Sequence, residues 1–332
     1  MTVIDGIESE ELKVRKNDIR AAIANNEKIQ DTLPIIMVIS NPMAYKRRWL
    51  LAKQFQMHMR DFDDVELYCV ELAYGEQEFH VTEEGNPKHL QLRTDTEPLW
   101  EKEVMIDIGI KKLLPTDWKV CGWCDADIEF ESPSWASDTL KILNGCKDIV
   151  QPFSHVLDMD KHENTMQMFH GFGYQHEHGK SYCSRGIELF HPGYCAMFTR
   201  KHYEKVGIFK HAILGSADFN MMMSAGFAVT GASPGIHPEY RKMLEEFKNK
   251  NRNVRLGYTP GVIRHFFHGR KKNRGYDTRW KILVKYQYNP IEHVTFDEQG
   301  VLVPSDACPK EMLVEIKKYF AERNEDEGFN YI

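Results

Sequence analysis

Two aspartates one residue apart, Asp125 and Asp127 in "CGWCDADIEFESP" (121–133), follow directly on a short apolar run. In an extended chain alternate residues project to one side, so the two carboxylates would repel unless a cation or ribose hydroxyls filled the space between them. A few carboxylate oxygens suit Mg2+ or Mn2+ bridging a diphosphate. The plainer alternative is that both acids cap the following turn, and Asp-x-Asp alone does not choose between the two.

Near the other end, "GVIRHFFHGRKKNRGYDTR" (261–279) sets His265 and His268 ahead of a dense basic run. Imidazole is a competent ligand for Mn2+, and Arg270, Lys271 and Arg274 carry the charge to close over phosphates as a mobile lid; a solvated basic loop is the alternative. Between these stretches, "FHPGYCAMFTRKHYEKVGIFKHAILGSADFNMMMSAGF" (190–227) carries Gly193, Gly215 and one acid, Asp218, before an apolar Met-rich helix. Asp218 is well placed for an N-cap. Cys121 and Cys124 lie three apart on a strand and face opposite sides, which reads as core packing. His176 and His178 in "YQHEHGK" read as a solvated loop.

These residues need elements to hold them. Pro34 opens "IIMVIS" (35–40), a β-branched run suited to a strand buried on both faces. A helix over 45–59 and a strand over 65–72 complete a β-α-β unit. The polar stretch 75–96 reads as a long loop, and 97–114 as a helix with Pro98 in its first turn. Strands follow over 118–124 and 148–157, with a helix over 132–143 capped by Ser132. Such alternation predicts an open, mostly parallel α/β sheet covered by helices on both faces. Residues 8–30 read as a surface helix within an N-terminal extension (1–32), 33–290 as the main domain, and 291–332 as a C-terminal helical segment packed on it. In open α/β sheets ligands bind outside the carboxyl ends of the strands, where Asp125 and Asp127 stand.

With 332 residues, 42% hydrophobic, and a formal charge of -6, the chain has the makeup of a globular protein. Its acidity argues against a dedicated nucleic-acid binder. No apolar run approaches the ~18 residues of a membrane span, and the N-terminus lacks the hydrophobic stretch of a signal peptide. Seven scattered cysteines suit reduced thiols, so cytosol is the expected location. Nothing fixes an oligomeric state.

The order of blocks, Asp-x-Asp, then a Gly-rich segment with an acid before a helix, then Ile-Arg-His with basic residues, resembles metal-dependent glycosyltransferases of the GT-A fold, in particular the β-1,4-galactosyltransferase type and family 2-like enzymes. "WKVCGWCDADIEFE", "LWEKEVMIDIGIKKLL", "LGSADFN" and "VIRHFFHGRKKN" each resemble a block of that family, over roughly residues 33 to 290. A looser resemblance is to soluble glycosyltransferases of large DNA viruses, which implies a host cytosol. The resemblance implies a Rossmann-like fold, Mn2+ or Mg2+, a nucleotide-sugar donor (UDP-sugar foremost) and a glycan acceptor. It makes Asp127 and His265 metal ligands, with His268 a second choice, and sets Asp125 near the ribose or the metal's water shell. Asn41, Arg47, Trp100 and Lys102 become nucleotide contacts, with Arg270, Lys271 and Arg274 on the phosphates and Asp218 as catalytic base. Three departures stand out: the family's Glu-Asp is Ala217-Asp218, its aromatic before the glycines is Leu214, and its metal-binding methionine is Val262, which leaves that position to water or His268.

Two other readings compete. A sugar-phosphate nucleotidyltransferase should carry a Gly-rich phosphate loop after the first strand, and "NPMAYKRR" has no glycine. A nucleic-acid-binding or structural protein would use Arg270 to Arg279 with Phe266, Phe267 and Tyr276, against the acidic balance of the whole.

Overall fold

The computed structural model describes residues 2–4, 7–9, 23, 25–184, 189–276 and 278–329. Its frame is a seven-stranded sheet built from Leu33–Ser40 (β1), Val65–Tyr74 (β2), His89–Thr94 (β3), Val120–Cys124 (β4), Ile149–Gln151 (β6), Cys195–Thr199 (β10) and Leu256–Tyr258 (β11). Their order is β11-β6-β10-β4-β1-β2-β3, parallel except for β10, which runs against both neighbours. Period-two side chains split the core into two layers. Ile36, Val70, Cys121 and Trp123 face one layer with Val104 and Ile106 of the helix Lys102–Leu113. Ile35, Met37, Val120 and Cys124 face the other, with Phe55 of the helix Lys46–Met59 and Leu140 of the helix Trp135–Ile142. The sheet is therefore covered on both faces as the sequence predicted, and Cys121 and Cys124 are core residues on opposite sides.

A second sheet of five short strands takes over where the first ends. Its members are Ile128–Phe130 (β5), His155–Met159 (β7), Thr165–Gly171 (β8), Phe190–His191 (β9) and Val262–His265 (β12), in the order β9-β8-β7-β12-β5. Three strands of the large sheet run on into it: β4 into β5 through residues 125–127, β6 into β7 through 152–154, and β11 into β12 through 259–261. The single strand expected over 148–157 is two strands. Pro152 has no N–H for a ladder, and the chain changes sheets there.

Other boundaries also differ from expectation. The stretch 75–96 contains the edge strand β3, whose Leu90 and Leu92 alternate with polar residues, and buried Glu71 gathers the backbone N–H groups of His80, Val81 and Thr82 at 2.8–2.9 Å. The helix expected over 97–114 starts at Lys102, leaving Pro98 outside it, and that expected over 132–143 starts at Trp135 with Ser134, not Ser132, at its N-cap. His176 lies on a short helix, Phe172–Glu177, its Nε2 2.8 Å from the Gly226 carbonyl; His178, at that helix's C-cap, has Nδ1 2.7 Å from the Tyr174 carbonyl, so neither is a free loop residue. The helix expected over 8–30 lies largely outside the described residues; Ile7–Ser9 pairs with Thr2–Ile4 as a small antiparallel ladder. No helix among the described residues is long and apolar enough to cross a membrane.

Candidate metal and catalytic site

The crossing from β4 to β5 is a turn, not an extended strand, so Asp125 and Asp127 do not share a side. Asp127 faces the small sheet. There the register sets His265 beside both Ile128, the neighbour of Asp127, and Asp158 on β7. Asp127, His265 and His268 bring one ligand atom each to within 4.8 Å of one another. His268 Nε2 lies 2.9 Å and His265 Nε2 3.9 Å from Asp127 Oδ2, and the buried Asp127 Oδ1 has no hydrogen-bond partner. Burial works to raise the Asp127 carboxyl, but His268, His265 and Arg274 hold it well below the usual carboxylate range.

Both imidazoles are held from behind by acids. His265 Nδ1 is 2.6 Å from Asp158 Oδ1, and His268 Nδ1 is 3.4 Å from Glu325 Oε2; each acid is almost fully buried. Burial lowers His265 below its ordinary value against the pull of Asp158; the 2.6 Å contact puts Nδ1 on Asp158 and leaves Nε2 on the side of Asp127. A carboxylate behind each imidazole is the arrangement that orients histidine on a metal. Two imidazoles and a carboxylate fit Mn2+ better than Mg2+, which prefers oxygen alone. The donor set thus fits a divalent cation.

Asp125 turns the other way. Its Oδ1 is 2.5 Å from Lys102 Nζ at the start of the helix Lys102–Leu113. Burial, with a push from Asp127, raises the Asp125 carboxyl to about 6 despite Lys102. Lys102, opposed by burial but flanked by Asp125 and Asp218, is held firmly charged. The N-cap of the helix Ala217–Gly226 is Ser216 in the left-handed region (φ 75°), so Asp218 lies in the first turn and is not the cap. Asp218 Oδ1 accepts from the Phe219 N–H at 2.7 Å, while Oδ2 stands 2.6 Å from where a Cβ on Gly193 would be. Gly193 is thus needed for close approach, and its N–H donates to His191 Nδ1 at 3.2 Å. Burial pushes His191 down to about 3, leaving a neutral ring with its proton on Nε2, stacked on Tyr194 at 4.0 Å.

The remaining expected residues divide. Trp100 backs onto Gly215 and stacks on Phe320, with an unpartnered buried Nε1. Arg274 is buried and lies in the field of Asp127. Lys271 pairs with Asp158 at 2.6 Å and Arg270 with Glu327 at 2.8 Å, so the basic segment is tied down by acids. Asn41 and Arg47 are engaged with the protein: the Asn41 amide bonds both ways to the Tyr45 backbone, and the Arg47 guanidinium lies 4.1 Å over Phe329 with Nε on the carbonyl of Phe267, the neighbour of His268. The chain's last described stretch closes this corner, since Asp326 accepts from the N–H groups of Lys46 and Arg47, and Glu325 also pairs with Arg48 and Arg323. Asp158, Glu325, His191 and Arg279 were not singled out as site residues from sequence. Only Asp158, an acid at the end of the apolar strand in "HVLDMD", carried a signal there.

Neither a protein-family model nor a curated protein matches the chain. Among solved structures it is similar to the mannosyltransferase PcManGT from Pyrobaculum calidifontis, crystallised with GDP-Man and Mn2+, at 12% identity and a TM-score of 0.39, over 80% of this chain and 66% of that one, just under two thirds. It is also similar to a mutant Drosophila β1,4-galactosyltransferase 7 in complex with manganese, UDP-Gal and xylobiose, at 10% identity and TM-score 0.37, over 86% and 98% of the two chains. A third likeness is to an active-site mutant of LgtC, at 11% identity and TM-score 0.31, over 75% and 92%.

Proposed function

We propose that the chain is a metal-dependent glycosyltransferase that moves a hexose from a nucleotide-sugar, a UDP-sugar foremost, to a hydroxyl of a glycan acceptor with inversion, acting in the cytosol. The observation that carries this reading is the pairing, across one strand-end turn, of a three-ligand cation site (Asp127, His265, His268) with a separate acid, Asp218, behind Asp125 and Lys102. A cation held there would neutralise charge developing on the leaving diphosphate. Arg274 adds a fixed positive charge beside Asp127. Asp218 Oδ2, facing Gly193, takes the proton of the acceptor hydroxyl as its oxygen bonds to the anomeric carbon; the bond from that carbon to the diphosphate breaks with its electron pair leaving on phosphate. Asp125 and Lys102 form a charged pair that holds the helix Lys102–Leu113 against the turn and gives the donor's ribose a carboxylate to meet.

The test is a panel of nucleotide-sugars and divalent cations, read by thermal stabilisation, donor hydrolysis and transfer. Mn2+-dependent stabilisation by one donor, abolished in Asp127→Ala, is expected. The same three-ligand set can serve Fe(II) in oxygenases. Fe(II)-dependent oxygen uptake without any donor binding would overturn the reading.

A further inference from the structure

Buried arginines normally end on a carboxylate. Arg279 does not. It opens the helix Arg279–Lys285, is 8% exposed, and has no acid within ion-pair distance among the described residues. Its neighbours are neutral: one Nη bonds the Ser216 hydroxyl, the other is 3.5 Å from the Tyr319 hydroxyl, and the Tyr276 ring lies 5.2 Å from Cζ, while the buried Nε has no partner. Arg274 repeats the pattern, 8% exposed with Nε unpartnered and Nη1 3.3 Å from the Tyr276 hydroxyl. Both desolvated guanidiniums converge on one tyrosine, and Arg279 does so without a carboxylate partner among the described residues, which costs stability that an anion from outside would offset.

The position of Arg279 says which part of a substrate would bring the anion. Arg274 lies in the field of Asp127, on the cation side. Arg279 lies on the other side, bonded to the N-cap residue of the helix Ala217–Gly226, two residues from Asp218. At Gly215 (φ 82°) a Cβ would fall 3.0 Å from Arg279 Nη1 and 3.3 Å from the Trp100 ring, so backbone, guanidinium and indole meet with no side chain between them. The helix start adds its own preference for negative charge.

We propose that Arg279 receives an oxyanion carried by the acceptor, a carboxylate or a phosphate on the sugar whose hydroxyl faces Asp218, so that the acceptor class is acidic saccharides. This rests on the glycosyltransferase reading. A planar fork on a carboxylate or phosphate gives charge-assisted, two-point contact, and neutral analogues should bind roughly 10- to 100-fold more weakly.

The experiment is calorimetric binding to the full chain with Mn2+, with and without donor, in chloride buffer free of phosphate and sulfate. The probes are methyl glucuronide, glucose 6-phosphate and methyl glucoside. Wild type should prefer one anionic probe over the glucoside by at least tenfold, which also tells carboxylate from phosphate, and R279Q should lose the preference with Mn2+ binding unchanged. R279K keeps the charge but not the fork and should lose most of it; it decides the matter if R279Q fails to fold. Absence of preference in wild type, or an undiminished preference in a folded R279Q or R279K, overturns the assignment. Donor binding with Mn2+ is read in the same runs. Its failure counts against the glycosyltransferase reading, whereas intact donor binding without anion preference removes only the acidic acceptor.

Discussion

Replacing Asp158 by asparagine tests whether the acid behind His265 serves a metal or only the fold. Asp158 is 2% exposed, accepts the His265 Nδ1–H at 2.6 Å and pairs with Lys271 at 2.6 Å. Burial opposes its ionisation, yet His265 and Lys271 hold the carboxyl at about 2, so it is a carboxylate at neutral pH. Asparagine keeps an oxygen for Nδ1–H and removes the charge that makes Nε2 a stronger donor. Loss of such a partner typically costs 10- to 100-fold in metal affinity, or about 1.4–2.7 kcal/mol. Without metal the change should be smaller, because Lys271 is 43% exposed and can turn to water. Unfolding entropy scales with length, so a chain of 332 residues shifts by about 1.4 °C per kcal/mol, and saturating Mn2+ should raise the melting temperature of the variant by about 2–4 °C less than that of wild type. The assay is Mn2+ titration by calorimetry beside melting curves with and without metal. An unchanged Mn2+ affinity in a variant that melts lower without metal would leave Asp158 a purely structural role and refute the reasoning.

Three further outcomes are expected. Asp218→Asn should keep donor affinity and lose transfer by roughly 10²–10⁴-fold; near-normal transfer would remove the base assignment. Gly193→Ala puts a methyl 2.6 Å from Asp218 Oδ2 and 3.2 Å from His191 Cε1, so transfer should fall on the order of 10²-fold while Mn2+ affinity stays, and steady-state kinetics beside metal titration check the split. Burial raises Glu101, whose Oε2 accepts from the Leu302 N–H, to about 8 from an ordinary 4.5, so between these values the folded chain keeps a proton that the unfolded chain releases. Stability should fall as pH rises from 5 to 9, and denaturant unfolding should show Glu101→Gln losing less of it than wild type.

The frame of the molecule was readable because its signals are local. A β-branched run after Pro34, helical spacing over 45–59 and the apolar run in "WKVCGWC" each follow from a few adjacent residues, and β1, the helix Lys46–Met59 and β4 appear where these predict. Asp127, His265 and His268 were named from residue type and order, and the small sheet is what brings them together. The strand missed within 75–96 has a non-local cause, since β3 is polar on alternate residues and takes its order from pairing with β2, not from its own composition.

What sequence could not give is the set of groups that finish the site from far along the chain. Glu325 lies in a charged tail, "ERNEDEGF", where no residue type distinguishes it from its neighbours. It becomes singular because residues 323–329 thread back beneath Gly269, where a Cβ would strike the Arg323 carbonyl at 2.9 Å. That passage puts Glu325 against His268, Arg48 and Arg323 at once, and Asp326 on the start of the helix Lys46–Met59. One acid therefore couples a proposed metal ligand to the first βα connection. The segment 270–279, read from sequence as a free lid, is bound by the same tail through Arg270, Asn273 and Glu327. Any opening of that segment must break these pairs, so its motion would be coupled to the tail and, through Glu325, to the orientation of His268.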